Sequence, residues 1–162
     1  MIKNIHDLKS KLNRKIITAL ELTRNDVFNI IYNKVEEYYN EPVFEGKNEP
    51  NDYIRTNTLQ DALSATEIIK RDNLYSFIVG WPDEYLEFQY PGWKSQYGRG
   101  STGINKATGF QILTYFNSSR HGGNAFLGSH NYWDEALDEI NGRGGIDGIF
   151  YNYLKQLGVP IK

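Results

Sequence analysis

At 162 residues the chain is long enough to close one hydrophobic core without cross-links, and its 40% apolar and 23% charged residues are ordinary globular values. It contains no cysteine, which excludes disulfides, thiolate nucleophiles and thiolate metal sites. A net charge of −2 excludes a global basic footprint for nucleic acid.

Charge is uneven along the chain. Residues 1–39 carry seven basic against five acidic side chains, 40–98 carry five against ten, and 99–162 six against five. An acidic middle is commonly a solvated surface, and otherwise one that repels DNA or meets a basic partner. Aromatics reach 14%, with twelve tyrosines, side chains that suit a core or a surface awaiting a partner. The start, Met1 to Asp7, lacks the apolar run of a secretory leader, and no stretch approaches about 20 apolar residues. The expectation is a soluble chain that stays in the cell that makes it.

Residues 1–40 read as one long amphipathic helix. Ile5, Leu8, Leu12, Ile16, Leu20, Val27, Ile31, Val35 and Tyr38 recur at helical steps on a single stripe. No Pro or Gly interrupts residues 1–41; Asn4 is placed to cap the start, and Asn40 before Pro42 to stop it. The weak point is Thr23 to Asp26, where Asn25 or Asp26 could cap a second helix. Unbroken, the helix runs about 50 Å, more than one small core covers, so part of the stripe is expected to meet another subunit.

A polar loop follows over 41–53, then an extended start and a short helical turn capped by Thr56 or Asn57. Residues 64–70 and 75–81 predict a β-hairpin, with Arg71, Asp72 and Asn73 as its turn and Asn73 as the left-handed residue. Gly80, Trp81 and Pro82 end the second strand, and Asp83 to Phe88 reads as a short turn or helix. Residues 90–109 hold five glycines and few aliphatics and read as a loop that orders on a partner. Phe110 to Phe116 reads as a strand or short helix. Tyr132 to Ile140 reads as a helix capped by Asn131 and broken at Gly142, Gly144 and Gly145. A last helix spans about Ile146 to Leu157, with Gly158 at its C-cap. The fold class is α+β: a long N-terminal helix on a small antiparallel sheet, with C-terminal helices, in a single domain over 1–162.

The chemistry-bearing candidates are thin. The run from Gly98 to Gly103 resembles a phosphate cradle but lacks the Gly-Lys-Ser/Thr ending of a P-loop, and Ser101 lacks the glycine spacing of a nucleophile elbow. His130 and Asp134 are one helical turn apart with His121 upstream, yet no third metal ligand follows at a recognisable spacing. Asp83, Glu84 and Glu87 could pair carboxylates for acid–base work, but acids clustered at a turn are mostly solvated. The sequon Asn117 to Ser119 carries no meaning without a leader. Tyr90, Trp93, Tyr97 and Arg99 are the residue types that anchor protein interfaces, and are expected to contact a neighbouring subunit or partner. Stacking on bases or sugars is their other use.

One order of segments is familiar: a long helix, then Arg55, Thr56 and Leu59 before a hairpin, then Tyr85, Glu87 and Phe88, a Gly-rich loop and C-terminal helices. It resembles the tail-completion and head–tail joining (neck) proteins of long-tailed bacteriophages. In that family an Arg-Thr-x-x-Leu step commonly precedes the first strand, and an aromatic-x-Glu-Phe step follows the hairpin, usually with Gly next. Here Gln89 stands in place of that Gly, and the 90–109 loop is longer and richer in Tyr and Trp.

The resemblance implies a virion structural protein without enzymatic activity or cofactor, forming a cyclic homo-oligomer, a hexamer by family likeness. The ring would sit between the portal or connector and the tail-terminator or tail-tube proteins. DNA would pass through its lumen without sequence recognition, and assembly would take place in the bacterial host cytoplasm. The acidic 40–98 stretch would then suit the inner wall, since a basic lumen would hold DNA. Two rival expectations are a metal-dependent nuclease built on His121, His130 and Asp134, and a carbohydrate-binding module using Tyr and Trp platforms. The long N-terminal helix argues against the second.

Overall fold

A computed structural model describes residues 4–40, 58–72, 74–81, 86–93, 101–108 and 132–161; in 38–40, 58–59, 86–93 and 101–107 it describes the backbone. The elements in chain order are α1 (Ile5–Asn40), α2 (Thr58–Asp61), β1 (Ser64–Ala65), β2 (Ile69–Arg71), β3 (Leu74–Ser76), β4 (Val79–Gly80), β5 (Leu86–Trp93), β6 (Ser101–Ala107), α3 (Tyr132–Gly142) and α4 (Gly145–Gln156). The architecture is α+β, as the spacing of apolar residues predicts.

Helix α1 is unbroken over 36 residues, about 54 Å at about 1.5 Å per residue. Asn4 caps it: the Asp7 amide donates to Asn4 Oδ1 at 2.9 Å. The suspected break at Thr23 to Asp26 does not occur. Thr23 is fully buried and its hydroxyl donates to the Ala19 carbonyl one turn back, at 2.8 Å, so its polar atom is satisfied without leaving the helix. Both candidate caps are engaged elsewhere, Asn25 by the Arg24 guanidinium and Asp26 by Tyr153.

The described chain divides into two compact units. The first comprises Met1–Ile31, Ser64–Gly80 and Asp134–Lys162. Its buried side chains are Ala19, Thr23, Val27, Ile30 and Ile31 of α1, Ala136 and Ile140 of α3, and Ile149 and Leu154 of α4. The second comprises Tyr32–Leu63 and Trp81–Trp133, and buries Val35, Gln60, Leu63 and Tyr132. Within it the Trp81 and Trp133 rings meet at 5.8 Å, tilted by 58°.

The hairpin at 64–80 forms with one irregularity. β1 and β4 pair antiparallel with Ser64 opposite Gly80 and Ala65 opposite Val79. β2 and β3 pair with Ile69 opposite Ser76 and Arg71 opposite Leu74. Three residues, Thr66 to Ile68, thus face two, Phe77 and Ile78, which is a bulge on the first arm. The Thr66 amide donates to the Ile78 carbonyl at 2.9 Å, and the Ile78 amide returns to Thr66 Oγ1 at 2.9 Å. A threonine hydroxyl therefore carries the ladder past the slip. At the tip Asp72 takes the left-handed conformation, with φ of 54°. The expected residue for it, Asn73, lies outside the described residues.

The expected loop over 90–109 is corrected where it is described. β5 and β6 form an antiparallel ribbon, Leu86 opposite Ala107 through Tyr90 opposite Gly103. The turn or helix expected up to Phe88 is strand from Leu86 onward. The register slips between Tyr90 and Trp93, where Pro91 and Gly92 stand. Pro lacks an amide donor and is tolerated in a ladder at such a slip, so the Pro and Gly that suggest a loop mark a bulge instead. The strand or helix expected at Phe110 to Phe116 lies outside the described residues.

The C-terminal pair forms as expected, α3 and α4 joined by Arg143 and Gly144 alone. Gly144 is left-handed, φ 88°, and a Cβ on Gly148 would lie 2.5 Å from the Arg143 carbonyl oxygen, so the corner needs both glycines. Leu157 is the C-cap of α4 and Gly158, φ 71°, the residue after it. The Gly158 amide donates to the Lys155 carbonyl and the Val159 amide to the Leu154 carbonyl, each at 2.9 Å, the paired bonds of a Schellman ending.

Candidate interface surfaces

The stripe on α1 has two halves. Ala19, Thr23, Val27, Ile31 and Val35 are buried and Ile16 and Leu20 half-buried, but Ile5, Leu8 and Leu12 remain 75%, 46% and 40% exposed. The change falls near Lys15, whose Nζ donates to the Gly158 carbonyl at 3.3 Å where α4 has ended. On the hairpin, Leu74 and Ile78 are individually exposed, at 68% and 65%. Scattered exposed apolar residues need no explanation, whereas a continuous helical stripe emerging from a core does.

Three polar links fix the elements around α1. Arg24 Nη1 donates to the Thr66 carbonyl at 3.2 Å, anchoring the hairpin at its bulge. The Tyr153 hydroxyl donates to Asp26 Oδ2 at 2.7 Å, and Arg143 Nη1 stands 3.9 Å from the same oxygen. Arg143 Nη2 meets Glu139 Oε1 at 2.6 Å. The hydrogen bond to Asp26 holds the Tyr153 hydroxyl above its ordinary value, partial burial and the Asp26 charge add to this, and Arg143 opposes it. Sequence inspection misses this cluster, because Asp26 and Tyr153 are 127 positions apart and neither belongs to a motif.

Of the residues expected at an interface, Tyr90 and Trp93 lie on β5, in the backbone register given above. Tyr97 and Arg99 lie outside the described residues. Glu87 and Phe88 are also on β5, Glu87 opposite Lys106, and Leu59 is in α2. Arg55, Thr56 and Tyr85 lie outside the described residues, as do His121 and His130. Asp134 is exposed in the first turn of α3. Among the described residues, no three His, Asp or Glu side chains gather where they could hold a metal ion. No described helix is long and apolar enough to cross a membrane.

No protein-family model, curated protein or solved structure matches the chain.

Proposed function

We propose that the chain is a structural subunit of a phage neck, acting in tail completion and head–tail joining as part of a homo-oligomeric ring. The reading takes its biological setting from the segment order and the short steps at Arg55 to Leu59 and Tyr85 to Phe88. The observation that carries it is the exposed end of α1. Ile5, Leu8 and Leu12 continue the stripe that builds the core, yet remain accessible to solvent. Such a face is stabilised by association rather than by folding. Virion localisation, neighbours above and below the ring, and passage of DNA through its lumen belong to the same proposal.

The test is assembly itself. Virions made without this chain should accumulate filled heads and finished tails that fail to join, and supplying the chain should restore joining. Trp93→Ala with Tyr97→Ala should give a folded subunit that fails to restore it. Complete, infectious particles in the absence of the chain would overturn the assignment.

A further inference from the structure

The exposed stripe has a charged frame. Ile5 to Lys15 contains Lys9, Lys11, Arg14 and Lys15 against Asp7 alone, which pairs with Lys11 at 3.1 Å. At about 100° per residue, Lys9 falls on one edge of the stripe and Lys11 and Lys15 on the other, while Arg14 falls on the opposite face of the helix.

The outer face of α3 has the opposite sign. Ala136 and Ile140 are buried, so Asp134 and Asp138 lie outward, with exposed Glu135 and Leu137 on either side. α3 contains four carboxylates and no Lys or Arg, and only Glu139 is matched, by Arg143, among the described ion pairs. Across the two-residue corner, exposed Ile146 and Asp147 open α4. The α1 stripe is therefore edged by lysines, with Lys11 paired to Asp7 and Lys15 bonded to the Gly158 carbonyl, and the α3 face by carboxylates. Arg143, at the end of α3, pairs with Asp26, about 21 Å along α1 from Leu12, so the stripe does not reach that corner of its own chain.

We infer that the Ile5 to Lys15 stretch of one copy docks on the outer face of α3 and the first turn of α4 of the next copy. This deepens, and rests on, the assembly reading above. The two patches differ, so the contact is heterologous: it runs head to tail and closes into a ring or extends as a filament. The leucines and isoleucines bury one another, while the lysines and carboxylates set register and partner choice.

Charge exchange between two variants tests the pairing. One carries Lys9→Glu and Lys11→Glu, the other Asp134→Lys and Asp138→Lys; all four positions are on the surface, and far-UV circular dichroism checks that each folds. Each variant alone should self-associate at least about tenfold more weakly than the unaltered chain, because like charges then face each other. An equimolar mixture should recover association, because every contact between the two variants again joins opposite signs. Arg14→Glu, on the far side of α1, should leave native mass unchanged. The absence of cysteine allows a second readout: Leu12→Cys and Leu137→Cys on separate copies should form a mixed disulfide faster than either homodimer.

Oligomers of unchanged mass in both variants, or a mixture no stronger than its components, would overturn this pairing while leaving the assembly reading to the virion test. An unaltered chain that stays monomeric throughout the micromolar range would overturn it as well. Failure of head–tail joining to depend on the chain is a separate outcome and sinks the neck assignment instead.

Discussion

The Tyr153 hydroxyl donates a 2.7 Å hydrogen bond to Asp26 Oδ2, joining α4 to the middle of α1, 127 positions earlier in the chain. Arg143, at the end of α3, stands 3.9 Å from the same oxygen, so one carboxylate receives both C-terminal elements. Had Asp26 capped a second helix, that carboxylate would have been turned toward backbone amides. Its use by Tyr153 is consistent with α1 running on unbroken.

Removing the hydroxyl with Tyr153→Phe keeps the ring and its packing. The lost bond is to a charged acceptor but is only partly buried, so the expected cost is about 1 kcal/mol. Urea unfolding followed by tryptophan fluorescence should show a lower midpoint at unchanged slope. Asp26→Asn should cost less, since an amide oxygen still accepts from Tyr153.

The same bond gives an alkaline signature. Tyr153 titrates above its ordinary value near 10, chiefly because its proton is held by Asp26. The raised group stabilises the fold fully below that ordinary value. As pH rises through the native value, the unfolded chain loses its proton first and the contribution disappears. Stability measured from pH 8 to 11 should fall more steeply for the unaltered chain than for Tyr153→Phe. Parallel curves would show that the bond does not persist in solution.

The α3–α4 corner makes a sharper demand. Gly148→Ala would put a methyl group 2.5 Å from the Arg143 backbone oxygen, which has no flexible side chain to yield. The cost should reach about 2 kcal/mol, as for overpacked cores. Gly142→Ala meets nothing within 4 Å and should be neutral or slightly stabilising. Thermal midpoints of the two variants should move in different directions or by clearly different amounts.

At the hairpin, Thr66→Val retains the β-branched shape and removes the acceptor for the Ile78 amide. The expected loss is about 1 kcal/mol, and the Ile78 amide should exchange with deuterium faster than its neighbours. Arg24→Ala, which releases the Thr66 carbonyl, should speed exchange over the hairpin as a whole.

These sites indicate what sequence can convey. α1 was legible because its signals are local: apolar residues at helical spacing, no Gly or Pro, and Asn4 in capping position. The hairpin and the glycine-broken C-terminal helices were legible for the same reason. The β5–β6 ribbon was not, because pairing Leu86 with Ala107 spans a stretch whose glycines and Pro91 resemble a loop, and only the register reveals a bulge. Thr66 gave no hint that its hydroxyl would replace a strand carbonyl. For the candidate interface, spacing said that the α1 stripe exceeds one small core. Which end stays open depends on where α4 stops against Lys15, a contact across 143 positions.

The two halves of α1 should respond oppositely to truncation. Leu8→Ala and Leu12→Ala truncate side chains that are 46% and 40% exposed, so each should cost the isolated subunit less than about 1 kcal/mol. Val35→Ala removes a side chain with no exposure, and Val27→Ala one with 5%, and each should cost about 2 kcal/mol. Self-association should show the reverse order. The two N-terminal substitutions should weaken it, while the two core substitutions should leave it intact at temperatures where the subunit is folded. Chemical denaturation at a dilution where the chain is dissociated, set beside native mass at high concentration, separates the two effects. A loss of subunit stability from Leu8→Ala as large as that from Val35→Ala would mean that the first turns of α1 are packed within the chain, and the stripe would no longer be available to a second copy.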